Sequence, residues 1–329
     1  MIRRRLARHA PAALVVAALA AVPLVVTNNY YLDSIILIFF WGSMAAAWNL
    51  VGGYAGQLSL GHTAFFGIGA YASSILFARY ALTPWLGLLA GAALATVFAV
   101  FVGLVCFRLR GPFFAIVTIA FAEVGLIVAS SLRDLTKGTE GFNIPFRPAF
   151  ENMLFRGKVG YFYLFLGYAV LIYVISRAVE QSKLGYALVA FRENEEAARM
   201  LGVPTVRVRL IALGASAALT AAGGTLYAQY YQFLDPASTF GINFSIQVAL
   251  LTMVGGIGTA VGPFFGALLM TPLGQFFRAW LGGGAAGLYL ALYGFALIVV
   301  VLFLPHGIVP EVRRRLGRRA HEEDDDDAA

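Results

Sequence analysis

From Pro236 to Phe277 the sequence carries no Asp, Glu, Lys, Arg or His. One helix needs roughly 20 apolar residues to cross a hydrocarbon layer about 30 Å thick, so this run exceeds a single crossing. Gly255, Gly256 and Gly258 interrupt it, and glycine is a poor residue for a helix interior. The run therefore reads as two helices, with two full crossings or one re-entrant segment both open. The same pattern recurs along the chain. Charge-free apolar runs near 10–27, 33–51, 58–78, 84–107, 112–131, 160–177, 208–231, 243–257, 260–280 and 286–304 predict about ten transmembrane helices. Stretches such as Ala12 to Val26 lack the two-residue alternation of a membrane β-barrel strand. The expected fold is an all-α integral membrane protein. It has a basic N-terminus over 1–9, a transmembrane domain over 10–310 and a charged, disordered tail over 311–329.

The formal net charge of +7 does not point to nucleic acid, because the basic residues sit at the chain ends and in short loops. Arg3, Arg4, Arg5 and Arg8 at one end and Arg313 to Arg319 at the other put both termini in the cytoplasm, as an even number of crossings requires. Arg108 and Arg110 then lie inside, as does the segment Gln181 to Arg207. The loop Leu132 to Val159 lies outside, although it holds Arg133, Lys137, Arg147, Arg156 and Lys158. The first apolar run, with small residues at Ala18 to Ala21, has some character of a cleaved leader. It is read as a retained span because it is long enough to cross. The acidic run Glu322 to Asp327 reads as a solvated end, and the lone Cys106 as a small packing residue.

The segment 181–207 reads as two short helices. Asn194 is placed to cap the second, Glu195 and Glu196 complement its positive end, Gly202 suits a left-handed cap, and Pro204 stops it. The pair offers a knob with an apolar face from Leu188, Phe191, Ala197 and Leu201, rimmed by Arg192, Glu196 and Arg199. A plain amphipathic surface helix accounts for the periodicity equally well.

Within the spans, Gly52, Gly53 and Gly56 predict a break before the chain re-enters at Leu58. Ser59, Thr63 and Gly67 then follow at four-residue spacing, as do Gly258, Gly262 and Gly266 in the other half. Each stripe permits close helix approach and is a candidate for a translocation path or for simple packing. Ionisable groups in a bilayer are costly and mark the bundle interior by default, which singles out Glu123 and His62. Asn49, Gln57, Asn243 and Gln247 are weaker candidates of the same kind. No Gly-x-x-x-x-Gly-Lys-Ser/Thr loop occurs, so this chain has no P-loop cradle for nucleotide phosphates. Neither a Gly-x-Ser-x-Gly elbow nor a His-Glu-x-x-His pair is present.

Glu196-Ala-Ala-Arg-Met-Leu-Gly202 is similar to the Glu-Ala-Ala-x-x-x-Gly signature of ABC importer permeases. The stretch Asn49 to Tyr71, with Gly-Gly-Tyr-Ala-Gly-Gln-Leu-Ser-Leu-Gly-His at its centre, resembles the hallmark of branched-chain amino acid permeases of the LivM type. Arg110 to Glu123 and the ending Leu302-Phe-Leu-Pro-His-Gly307 agree with it, so the resemblance covers roughly residues 33–310. It implies an inverted-repeat type II importer architecture and a non-catalytic half-pore in the bacterial inner membrane. The segment around Arg192, Glu195, Glu196, Ala197, Ala198, Arg199 and Gly202 would then be the coupling element. The implied partners are a second permease of the LivH type, two ATPase subunits that use ATP with Mg, and a periplasmic or lipid-anchored binding protein. No cofactor is expected on this chain itself. Relatives with this signature also carry urea, short amides or other small acids. Residues alone leave open an ion-coupled secondary transporter or channel with Glu123 as its proton or cation site.

Overall fold

The computed structural model describes residues 2–107, 112–281, 286–304, 307–312 and 314–315. Arg108, Arg110, Pro305, His306, Arg313, Arg318, Arg319, the run Glu322 to Asp327 and the side chains of Arg3 to Arg8 lie outside the described residues.

Helices α1 (Ile2–Val25) and α2 (Asn29–Asn49) open the chain, and α2 continues into a π-helical turn at Leu50–Tyr54. An extended segment leads to α3 (His62–Tyr80), α4 (Pro84–Cys106), α5 (Pro112–Ser131) and the single turn α6 (Arg133–Thr136). After the loop come α7 (Lys158–Glu180), α8 (Lys183–Glu193), α9 (Glu195–Met200) and α10 (Thr205–Tyr231). The chain ends with α11 (Pro236–Phe240), α12 (Ile242–Gly255), α13 (Gly262–Leu281) and α14 (Ala286–Phe303). One two-stranded antiparallel ribbon, β1 (Phe142–Asn143) with β2 (Phe233–Leu234), ties the long loop to the end of α10.

Local chemistry sets these boundaries. Asn28 caps α2 by accepting from Tyr30 N, Pro84 occupies the first turn of α4, and Ala81 closes α3 in the left-handed region at φ 52°. Each of the ten apolar runs expected from the sequence is met by a helix: α1 to α5, α7, α10, α12, α13 and α14. Six segments among the described residues are long and apolar enough to cross a membrane: Asn29–Tyr54, Pro84–Cys106, Phe113–Ser131, Lys158–Glu180, Thr205–Tyr231 and Pro236–Gly255. The last joins α11 to α12 through a kink at Gly241. By itself α12 rises only about 21 Å, less than the hydrocarbon thickness.

Hydrophobicity drives the chain into lipid and leaves its most apolar spans facing outward, while close fit decides how the interior helices meet. Helices α2 and α10 are central, while α4 and α5 expose most of their surface. Ile36, Phe40 and Trp48 of α2 pack with Phe66 of α3 and with Phe162 and Phe165 of α7. Phe66 also stacks on Phe244 of α12 at 4.2 Å between ring centroids. Helices α3 and α10 cross backbone to backbone: a Cβ on Gly69 would stand 2.0 Å from Ala221 O, and one on Gly224 2.2 Å from Phe66 O. Without a hydrophobic drive between helices in lipid, this close approach is what dispersion needs.

Several glycine expectations are corrected here. Gly52 and Gly53 do not end α2; they lie in its π-helical turn, where a Cβ would strike the Trp48 ring at 2.1 Å and Asn49 Oδ1 at 1.7 Å. The chain breaks at Gly56, with φ 64°, and α3 begins at His62 rather than at Leu58. Ser59 therefore stands in extended chain and shares no helical stripe with Thr63 and Gly67. Those two residues abut α11: Thr63 Oγ1 is 3.0 Å from Thr239 O and from Gly241 O, and a Cβ on Gly67 would lie 2.4 Å from the Phe240 ring. Gly258, at φ 73°, sits in the turn between α12 and α13. Gly262 and Gly266 alone form the α13 contact, against Gly256 O and Leu251 O of the α12 arm.

Candidate functional site

Helices α8 and α9 form the expected knob, and α9 has the expected caps: Asn194 Oδ1 accepts from Ala197 N at 3.0 Å and Gly202 lies at φ 82°. The cap of α8, unforeseen in the sequence, is Ser182, whose Oγ accepts from Gly185 N at 3.2 Å. The knob's apolar face is divided, which corrects the single-face reading. Leu188 and Phe191 turn inward onto Leu50 and Tyr54 of the π-helical turn, onto Ala55 just after it and onto Val208 and Ala212 of α10. Ala198, not Ala197, is the buried alanine of α9. Met200 and Leu201 point outward, 91% and 85% exposed. A two-turn helix cannot bury both flanks at once, so α8 supplies the seat and the end of α9 the free apolar tip.

The knob is joined to both helix interruptions. Arg192 donates from a terminal nitrogen to Gly53 O at 3.1 Å and pairs with Glu193 at 2.8 Å. One turn back on α2, Asn49 is fully buried; its Oδ1 accepts from Gly258 N and its Nδ2 donates to Thr259 O, each at 2.9 Å. The break after α2 and the turn after α12 therefore meet at the knob end of the bundle. Pro310 and Gly307, beyond α14, close on Gly256 at the same place. Sequence spacing placed Arg192 in one group of candidates and Asn49 and Gly258 in another; the fold brings them together at one end of the bundle.

His62 is enclosed. Its Nδ1 lies 3.0 Å from Ser59 Oγ and its Nε2 2.7 Å from Ser216 Oγ. Ser216 spends its only hydroxyl proton on Ala47 O at 2.7 Å, so in the neutral ring Nε2 carries the hydrogen and Nδ1 accepts from Ser59. Both ring nitrogens are occupied in joining α3 to α10 and α2. Glu123 departs from expectation: it lies on the exposed face of α5, beside exposed Val124 and Ile127, and not in the interior of this chain. Gln57 is half-buried, with its side-chain oxygen enclosed and without an internal partner. Gln247 is half-buried on α12 and Asn243 exposed. Among the described residues no group of three or more His, Cys, Asp and Glu side chains could hold a metal ion.

One residue that pattern reading passed over is Arg209, buried on α10 against the knob. Its signal was available: a charge inside an apolar helix, just past the helix start.

The profile of the family described as branched-chain amino acid transport system / permease component matches residues 30–301. The chain belongs to this family. The permease is 28% identical over 292 residues to the high-affinity branched-chain amino acid transport system permease protein LivM of Escherichia coli strain K12, covering 82% of this chain and 67% of that protein. It is 24% identical to a probable branched-chain amino acid transport permease LivM of Methanocaldococcus jannaschii, over 75% of this chain and 78% of the relative. The permease LivH of Escherichia coli strain K12 is 27% identical, over 82% of this chain and 92% of its own length. No solved structure gives a significant match. This permease is thus a multi-pass, all-helical membrane subunit of a transport system, and it is a translocation component rather than an enzyme.

Proposed function

We propose that this permease forms half of the pore of an ATP-driven importer for branched-chain amino acids and takes its drive from a separate ATPase through the α8–α9 knob. The observation that carries the reading is the knob's construction. It is anchored on one side by Leu188, Phe191 and Arg192 and presents Met200 and Leu201 outward on the other. A helix pair that only covered a loop would not expose two adjacent apolar side chains at its tip; one that enters a cleft on another protein would.

The second half of the pore is a permease of the LivH type, since the LivM and LivH proteins that this chain resembles carry the name of one transport system. Two ATPase subunits bind ATP with Mg, and a periplasmic or lipid-anchored binding protein delivers the cargo. The knob faces the cytoplasm of a bacterial inner membrane, as do both termini. Glu123 fits this assembly. A carboxylate amid lipid-facing residues costs about 2.5–3.5 kcal/mol on insertion scales, and a water-filled path or a partner helix along α5 removes that cost.

The test is reconstitution in proteoliposomes. With the second permease, the ATPases and the binding protein present, leucine uptake requires ATP; this permease alone moves no leucine under a proton or sodium gradient. Gradient-driven uptake by the chain alone overturns the reading. Cargo is decided by the binding protein: tight leucine, isoleucine or valine binding supports the assignment, and urea binding without them replaces it.

A further inference from the structure

Arg209 stands in the second turn of α10, 3% exposed, where the bundle meets the knob. Its guanidinium carbon lies 4.5 Å from the ring centroid of Phe107, just past α4, and 4.6 Å from that of Phe191 on α8. One ring thus belongs to the body of the permease and one to the knob. Arg209 Nε donates to Thr205 O at 3.4 Å, within its own helix. A terminal nitrogen lies 3.6 Å from Glu195 Oε1 on α9, inside ion-pair range but beyond a hydrogen bond. Glu195 is meanwhile hydrogen-bonded to Arg199.

A buried guanidinium usually ends in short, directional bonds to a carboxylate, because five donors removed from water need partners. Here two ring faces hold the plane, and attraction to a ring face tolerates sliding. The acid on α9 waits less than about 1 Å outside the range of a charge-assisted hydrogen bond. A small movement of α9 toward the bundle closes that pair, and a movement away opens it, while the rings keep the charge in place.

We infer that Arg209 is a positioning residue of coupling: it registers displacement of α9 through Glu195 and passes it to α4 through Phe107 and to its own helix α10. This rests on the reading of α8–α9 as the ATPase-docking element. It concerns a residue outside the Glu-Ala-Ala segment, on a helix that reaches deep into the bundle.

The experiment uses the full complex of both permeases, the ATPase pair and the binding protein in proteoliposomes, and reads leucine imported per ATP hydrolysed. Arg209→Met is expected to assemble and to keep basal ATP hydrolysis within about twofold, while the import ratio falls about fivefold or more. Arg209→Lys, which keeps the charge and loses the flat face, lies between. An unchanged ratio in Arg209→Met overturns the inference. If that variant does not assemble, Phe107→Leu, which removes the body-side ring, decides by the same ratio: a fall supports the inference and no change overturns it. A Glu196→Ala/Gly202→Ala pair separates the two levels. Normal ATP-driven uptake in that pair removes the docking reading and this inference with it. Uncoupling there with an unchanged Arg209→Met ratio removes only the role of Arg209.

Discussion

Asn49 and Gly258, far apart in sequence, are bonded at 2.9 Å, and the same Asn49 side chain donates to Thr259 O at 2.9 Å. One amide thus holds the turn after α12 against the end of α2. Asn49→Leu keeps the branching and the number of side-chain heavy atoms and removes both bonds, leaving a backbone N–H and a carbonyl without that partner in a half-buried turn. Two unsatisfied groups at about 1–3 kcal/mol each would lose about 2–6 kcal/mol if fully buried, and half-burial puts the loss at about 2–4 kcal/mol. Thermal unfolding of the purified permease in detergent measures it. A midpoint equal to that of the parent protein would contradict the clip.

Gly67 and Gly69 differ by what stands over them. The Cβ of an alanine at 69 meets the backbone oxygen of Ala221, held by α10, whereas at 67 it meets the far end of the Phe240 ring, which can turn. Gly69→Ala is expected to lower stability by more than about 3 kcal/mol or to prevent insertion, and Gly67→Ala to cost about 1–3 kcal/mol. Expression as a monodisperse peak in size-exclusion chromatography ranks the two. The reverse order would show that α3 does not meet α10 in this way.

Gly202 ends the knob at φ 82° with nothing within 4 Å of a Cβ built upon it, so the penalty of a side chain there is conformational alone. Gly202→Ala costs about 1–2 kcal/mol, and Gly202→Asn costs less because asparagine tolerates the left-handed region. Hydrogen exchange of the α9 amides reports the difference directly. Faster exchange in the alanine variant than in the asparagine variant is the expected order.

His62 is bonded at both ring nitrogens. His62→Ala empties a buried site and strands Ser59 Oγ, a loss of about 2–4 kcal/mol. In contrast, ATP-driven uptake per correctly folded complex should stay near the parent value, because both ring nitrogens are engaged with Ser59 and Ser216 and neither is free to take up a substrate or a metal. A variant that folds normally and does not transport would return His62 to the pathway.

Much of this was legible in one dimension. The ten helical segments follow from apolar run length, and the caps of α9 from Asn194 and Gly202, because spans and caps are decided by residues near one another in the chain. Reading stripes by four-residue spacing failed at Ser59 and Gly258, since spacing has meaning only inside a helix and both residues stand in breaks. The expectation that an ionisable residue faces the interior failed for Glu123, which lies on the exposed face of α5, because residue type alone does not say which face of a helix turns inward.

By itself the sequence determined the class of the protein, an all-helical membrane subunit without a P-loop, along with its family and the place of its knob. Those are properties of hydrophobicity and local chemistry, additive along the chain. Only the tertiary structure decided that α2 and α10 are the central helices, that Asn49 joins the two interruptions, and that Arg209 stands between one ring of the body and one of the knob. In lipid there is little hydrophobic drive between helices, so they are joined by close fit and by the few hydrogen bonds that reach across, and those partners lie far apart in the chain.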